Sequence, residues 1–204
     1  MAARPYYILF AGVNGAGKST LYRTNRWQHG MIDGVLPRVN PDEIITANGW
    51  DWRDRSVQIK AGRLALGRIR RHLERGESFS QETTLSGKAV MHTVRTAHDD
   101  GYHVVMFYVC VDDPAIANAR IAHRGAVGGH VVDPSVVARR YNASLSNLVD
   151  IIEVCDEVYL YDNTLSLELE VRFESGRLAY FNPLEPHLRW VARVMGALGY
   201  VEAF

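Results

Sequence analysis

Apolar and polar residues follow two rhythms along this chain, one suited to buried strands and one to amphipathic helices, and the two alternate. Tyr6 to Phe10 is a short apolar run closing in Ala11-Gly12, which predicts a first strand, and a helix can form from Lys18 onward. Val35 to Val39 reads as a second short strand leading into Asn40-Pro41-Asp42-Glu43. That tetrapeptide is a helix start. Asn40 can cap, Pro41 suits the first helical position because its missing N–H would have no partner there, and the acids complement the positive end. Asp54 to Arg75 carries Ile59, Leu66, Ile69 and Leu73 at helical spacing, which predicts a long amphipathic helix.

The alternation continues with a third strand over Ser78 to Glu82 and a helix over Gly87 to Asp99, closed by Gly101. His103 to Val111 is nearly continuous apolar and β-favouring, the pattern of a strand buried on both faces. Asp113 to His123 predicts a helix, Gly125 to Gly129 a flexible link, and Asp133-Pro134 the opening of a helix towards Ile152. Val158 to Tyr161 is a fifth strand. The rhythm then changes: Leu165 to Phe173 and Arg177 to Phe181, joined by Glu174-Ser175-Gly176, predict a hairpin, and a last helix runs from about Pro186 to Leu198. Strands alternating with helices imply a parallel sheet covered on both faces. The expectation is one α/β domain over 1–204, a five-stranded, mostly parallel, doubly wound sheet with a C-terminal β-hairpin and helix.

Composition narrows the function. The 204 residues carry a formal net charge of zero, so no global positive field exists to hold nucleic acid or an anionic membrane. No apolar stretch reaches the length of a membrane span, and the start lacks the long apolar region of a secretory signal. Cys110 and Cys155 lie in apolar surroundings, as buried thiols do. The expected compartment is the cytoplasm. Lysine is scarce, with only Lys18, Lys60 and Lys88, and one of the three falls inside the strongest motif.

That motif is Gly12-Val-Asn14-Gly15-Ala16-Gly17-Lys18-Ser19-Thr20, which fits the phosphate-binding loop G-x-x-x-x-G-K-[ST]. Glycines let backbone N–H groups curl around phosphate oxygens, and the following helix offers its unpaired N–H groups to the anion. Lys18 can reach the β- and γ-phosphates, and the Ser19 hydroxyl can ligate Mg²⁺. Val109-Cys110-Val111-Asp112 can be forced into the usual second signature, an acid after four apolar residues. Asp112-Asp113-Pro114 reads better as a helix cap. No guanine-reading Asn-Lys-x-Asp occurs, which weighs against a GTPase switch.

Three further groups bear on the reaction. Asp42 follows the second strand, where it can accept the proton of an attacking hydroxyl or merely complement a helix dipole. Gln81-Glu82-Thr83-Thr84 ends the third strand, where Glu82 and either threonine can orient an acceptor or close the strand. Arg120, His123, Arg124, His130, Arg139 and Arg140 form a basic cluster around the glycine link, and Arg120 and Arg124 share a helical face. A glycine-hinged lid over 120–141 would bring arginine forks onto the phosphates; a solvated basic face is the plain alternative.

In this order and spacing the pieces resemble the zeta toxin family of P-loop kinases. The resemblance runs from about Tyr7 to Asn163 and rests on Gly12 to Thr20, Asn40-Pro-Asp42-Glu43, Glu82-Thr-Thr84, Arg124 through Gly128-Gly-His130 to Arg139-Arg140-Tyr141, and Tyr161-Asp162-Asn163. It implies ATP as donor and Mg²⁺ as helper. Asp42 matches the family's catalytic base and Lys18 its loop lysine. Glu82 and Thr84 match its acceptor-side residues, with Thr83 in their place if the strand is offset by one. Arg124 and one of Arg139 or Arg140 match its phosphate-clamping arginines, and Asn163 falls on the nucleotide side. Well-known members phosphorylate UDP-N-acetylglucosamine and are held in check by an antitoxin, so the resemblance implies a small hydroxyl acceptor and a possible antitoxin-like partner. The chain is shorter than the best-known toxin domains, carries Gly-Gly-His in the lid, and adds the hairpin and last helix.

Overall fold

In a computed structural model the fold is described for residues 4–25, 27, 36–126, 132–182 and 188–200. The first strand, β1 (Tyr6–Gly12), leads through the glycine loop into α1 (Lys18–Arg23), and β2 (Arg38–Val39) leads into α2 (Pro41–Ala47). Next come α3 (Arg55–Arg75), β3 (Phe79–Thr83), α4 (Lys88–Asp99), β4 (His103–Cys110), α5 (Pro114–Ala126) and α6 (Pro134–Val149). The chain closes with β5 (Glu157–Asp162), β6 (Glu168–Glu174), β7 (Arg177–Phe181) and α7 (Arg189–Ala197). The cap expected at Asn40 forms, and Asp54 and Asp133 open their helices in the same way. Asn40 Oδ1 accepts from the Asp42 N–H at 3.0 Å, Asp54 from Ser56 at 2.7 Å, and Asp133 from Ser135 at 2.8 Å.

All seven strands form one sheet in the order β2-β3-β1-β4-β5-β6-β7. The first five are parallel, and β6 and β7 continue the β5 edge in antiparallel register. The hairpin is therefore a continuation of the sheet and not a separate attachment, because Val171 and Phe173 bury their side chains beside β5. Seven consecutive residues of β4 are buried, so both faces of the central sheet are covered. Phe10, Phe107 and Tyr159 stack across β1, β4 and β5 at centroid spacings of 5.7 and 4.9 Å, which pins the register of the three central strands.

The strand order reverses at β1, the strand that feeds the glycine loop, and in such sheets ligands collect outside the carboxyl ends beside the reversal. Two expectations shift. Val35 lies outside the described residues, and the second strand is only Arg38–Val39. Gly125 and Ala126 belong to α5, while the rest of the predicted link, with His130, lies outside the described residues. Asp112 and Asp113 serve helix ends, in line with the favoured cap reading. The Asp112 carboxylate accepts from the Trp190 N–H at 3.3 Å and Arg189 Nε at 3.1 Å, docking α7, while Asp113 caps α5 through the Ala115 N–H at 2.8 Å.

Candidate active site

The loop between β1 and α1 is held in shape by close approaches that only glycine permits. Gly12 sits at φ +130°, and a Cβ there would lie 2.0 Å from the Val109 carbonyl oxygen. Gly17 sits at φ +106°, and a Cβ would lie 2.3 Å from Asn163 Nδ2. That same Nδ2 donates to the Ala16 carbonyl at 2.6 Å, so Asn163 braces the loop from behind. Asn163 in turn follows Asp162, which accepts from Trp190 Nε1 at 2.8 Å. The C-terminal helix thus supports the loop through a two-residue relay.

Lys18 folds back over the loop, its Nζ donating to the carbonyls of Gly12 at 2.9 Å and Val13 at 3.0 Å. Burial pushes its pKa below the usual lysine value, the Glu82 and Asp42 carboxylates pull it back up, and Arg124 adds to the lowering. A buried ammonium held on weak carbonyl partners is poised to exchange them for phosphate oxygens. Ser19 is exposed, and its hydroxyl donates to Glu82 at 3.2 and 3.3 Å.

Across from the loop lies a cavity of about 290 Å³. Its lining includes the basic and loop residues Asn14, Lys18, Arg124 and Arg140 together with Asn40, Asp42, Gln58, Gln81, Glu82, Thr83 and Thr84. The structure therefore brings together the loop, the acid after β2, the end of β3 and two of the lid arginines, drawn from positions spanning 14 to 140. Both threonines line the cavity. Thr83 Oγ1 accepts from the Leu85 N–H at 3.1 Å, and Thr84 Oγ1 pairs with Ser86 Oγ at 2.8 Å.

Of the paired arginines, Arg140 faces the cavity and donates to Asn14 Oδ1 at 3.2 Å, while Arg139 is exposed and does not line it. Burial lowers the Arg140 pKa, Arg139 adds to the lowering, and Asp42 opposes it, so the acid after β2 and this arginine feel each other's charge. Arg120 departs from the predicted clamp: its Nη2 donates to the Thr164 carbonyl at 3.1 Å, on the supporting side of the loop. His123 is exposed and absent from the cavity lining.

Arg38, which no sequence motif singles out, organises the side chains around Glu82. Arg38 lies over the Tyr22 ring at 3.8 Å and forks between Glu43, at 2.6 Å, and Glu82. Its Nε is buried with no hydrogen-bond partner among the described residues. Glu82 also receives Asn40 Nδ2 at 3.3 Å, so one carboxylate gathers donors from α1, β2 and the α2 cap. A charged residue inside the short apolar run from Val35 to Val39 is the signal the sequence offers. Read only as part of a strand, it was missed.

The oxygen donors beside the loop suit a hard divalent cation that keeps most of its ligands from phosphates and water. The Ser19 hydroxyl and Glu82 carboxylate lie side by side, and no cluster of three His, Cys, Asp or Glu residues able to cage a metal occurs among the described residues. The residues present thus fit Mg²⁺ arriving with a nucleotide.

A glycine loop between a central parallel strand and a helix, with an acid and arginines around one cavity, defines a P-loop protein of the kinase type. The family model described as zeta toxin matches residues 1–167, and the chain belongs to the zeta toxin family. An uncharacterized protein of Haemophilus influenzae is 31% identical over 137 residues, 66% of this chain and 91% of its own length. Among solved structures, AvrRxo1-ORF1:-ORF2 with ATP superposes with a TM-score of 0.64 at 14% identity, covering 87% of this chain and 61% of that one. The PezAT chromosomal toxin–antitoxin system of Streptococcus pneumoniae gives 0.59 at 16% identity, covering 98% of this chain and 80% of that one. A putative kinase from Chloroflexus aurantiacus gives 0.50 at 18%, covering 67% and 76%. At these identities the superpositions speak for the fold. No helix among the described residues is long and apolar enough to cross a membrane.

Proposed function

We propose that the protein transfers the γ-phosphate of ATP to a hydroxyl group of a small molecule. The observation that carries this reading is one cavity lined by Lys18, Arg124 and Arg140 together with Asp42 and Glu82. A pure nucleotide binder needs the basic residues, and Glu82 only beside Mg²⁺, but has no use for Asp42. In the reaction the acceptor oxygen bonds to the γ-phosphorus, the bond to the bridging oxygen of ADP breaks, and Asp42 takes the hydroxyl proton. Lys18, Arg124 and Arg140 offset charge on the equatorial oxygens, which is most of what a protein can contribute to this transfer. Ser19, with Glu82 beside it, would hold Mg²⁺, and that ion when bound offsets phosphate charge and fixes the nucleotide's geometry. Glu82 and the threonines orient the acceptor.

Family membership makes a UDP-activated amino sugar, UDP-N-acetylglucosamine in particular, the first acceptor to try, and an antitoxin-like protein a partner to seek. The test is ATP consumption by the purified chain with Mg²⁺, with and without that sugar nucleotide, with products identified by mass. A phosphorylated UDP-sugar supports both reaction and substrate. ATP turnover with a different phosphorylated acceptor keeps the kinase and rejects the sugar. Tight ATP binding with no transfer to any hydroxyl in a broad screen overturns the reading.

A further inference from the structure

The carbonyls of the glycine loop need partners as much as its N–H groups need an anion. For backbone N–H groups to face a phosphate, the carbonyls must turn away from it, and a buried carbonyl then requires a donor. Lys18 supplies those of Gly12 and Val13. The carbonyl of Ala16, a fully buried residue, takes its donor from outside the loop, Asn163 Nδ2 at 2.6 Å. Gly17 leaves no slack there, since a Cβ would meet the same nitrogen.

Bonds to other elements hold Asn163 in place. Its N–H donates to the Cys110 carbonyl at 2.9 Å, at the end of β4. Asp162 before it is only 6% exposed, and its carboxylate accepts from the Thr164 N–H at 2.7 Å, the Thr164 hydroxyl at 2.9 Å and Trp190 Nε1 at 2.8 Å. The first two donors close the turn on itself. Of the three, only the indole comes from another element, α7. Trp190 is itself buried, and its backbone N–H rests on Asp112 at 3.3 Å, so the ring is anchored at both ends. An indole N–H donates one bond and accepts none, so its attachment to a buried carboxylate is directional.

Trp190 lies beyond residue 167, where the match to the family model ends, and it does not line the cavity. We propose that Trp190 is a positioning residue of the nucleotide site. Through Asp162 and Asn163 it keeps the Ala16 carbonyl turned away, and so holds the loop's N–H groups in the geometry that receives the phosphates of ATP. The inference rests on ATP binding at the loop and not on the transfer reaction.

The experiment measures ATP affinity of the full chain with Mg²⁺ by calorimetry, well below the unfolding temperature of every variant. Trp190→Phe keeps an aromatic ring in the core and removes the N–H; Asn163→Ala removes the last link. Each should weaken ATP by about fivefold, as for one lost hydrogen bond. Because both act along one relay, the double variant should also lie near fivefold, well short of the roughly 25-fold product of independent effects. Val194→Ala is the packing control, truncating a fully buried apolar side chain one turn further along α7. It should lower the Tm yet leave ATP affinity within about twofold. Should Trp190→Phe fail to fold, Asp162→Asn weakens the acceptor without opening a hole in the core and gives the same cycle with Asn163→Ala. Parent-like affinity in Trp190→Phe, a multiplicative double variant, or an equal loss in Val194→Ala overturns the proposal while ATP binding by the parent stands. A parent chain that binds no ATP overturns the nucleotide reading, and the proposal with it.

Discussion

The two halves of the cavity are built by different means. The proposed donor half is built on one contiguous loop, residues 12 to 20, whose shape comes from glycines pressed against Val109 and Asn163, and it is joined by Arg124 and Arg140. The proposed acceptor half is lined by Asn40, Asp42, Gln58 and Glu82 from the α2 end, α3 and β3, and the Glu82 carboxylate ties Asn40 to Arg38 of β2. Backbone N–H groups read any phosphate alike, whereas side chains can be exchanged singly. The division predicts a fixed donor and an acceptor specificity set by a few residues around Glu82.

The sharpest way to break that division is Asp42→Ala. The variant should bind ATP as the parent does and lose transfer by about 10²–10⁴-fold, the range for removing a positioned base. Nucleotide affinity by calorimetry and single-turnover transfer separate the two effects. Full transfer activity removes Asp42 from the role of base, and a large loss of ATP affinity moves it to the donor half.

Next in size is the contrast between neighbouring arginines. Arg140 reaches the cavity and Asn14, while Arg139 is exposed. Arg140→Ala should lower transfer by about 10²-fold, comparable with the loss of one charge-stabilising donor, and Arg139→Ala by no more than about twofold. Equal losses would mean that the clamp depends on total basic charge and not on the one side chain that faces inward.

Arg38→Ala tests the acceptor half alone. Glu82 would keep Ser19 and Asn40 but lose its ionic partner, with the two side chains only 12% and 14% exposed. A stability loss of about 1–3 kcal/mol is expected, below the full cost of stranding a buried charge because two donors remain. The acceptor KM should rise while ATP affinity holds. Arg38→Lys should recover part of the stability, since it restores the charge without the fork. Unchanged acceptor KM in both variants reduces Arg38 to a structural strut.

How much of this was legible in the chain follows the same division. The donor loop is local, so glycine spacing and the lysine declare it, and β4 announces itself by unbroken apolar residues. The helix starts at Asn40, Asp54 and Asp133 were equally readable, because a cap is decided within three residues. Arg38 was not, since its meaning lies in Glu82, 44 positions away, and in the ring of Tyr22. The choice between Arg139 and Arg140 needed the direction in which α6 points a side chain. Nor does the chain show that Ile59 and Leu66 of α3 stand exposed, since periodicity shows which residues share a face, not whether the fold covers it.

The smallest effect bears on the donor half and concerns a proton. Burial lowers the Lys18 pKa in the empty loop, and phosphate oxygens on Nζ would raise it again. Below the lowered value Lys18 is already charged, and binding moves no proton. As pH rises through that value the empty loop loses its proton and the occupied loop keeps it, so binding takes up a proton and ATP affinity declines. Calorimetry in two buffers of different ionisation enthalpy, at alkaline pH where the nucleotide's own phosphates have finished titrating, reads the uptake directly. Lys18→Arg, which stays charged throughout, should abolish it whatever its affinity. Heats independent of buffer in the parent chain would mean that the Gly12 and Val13 carbonyls, with Glu82 and Asp42 nearby, already keep the buried ammonium fully charged.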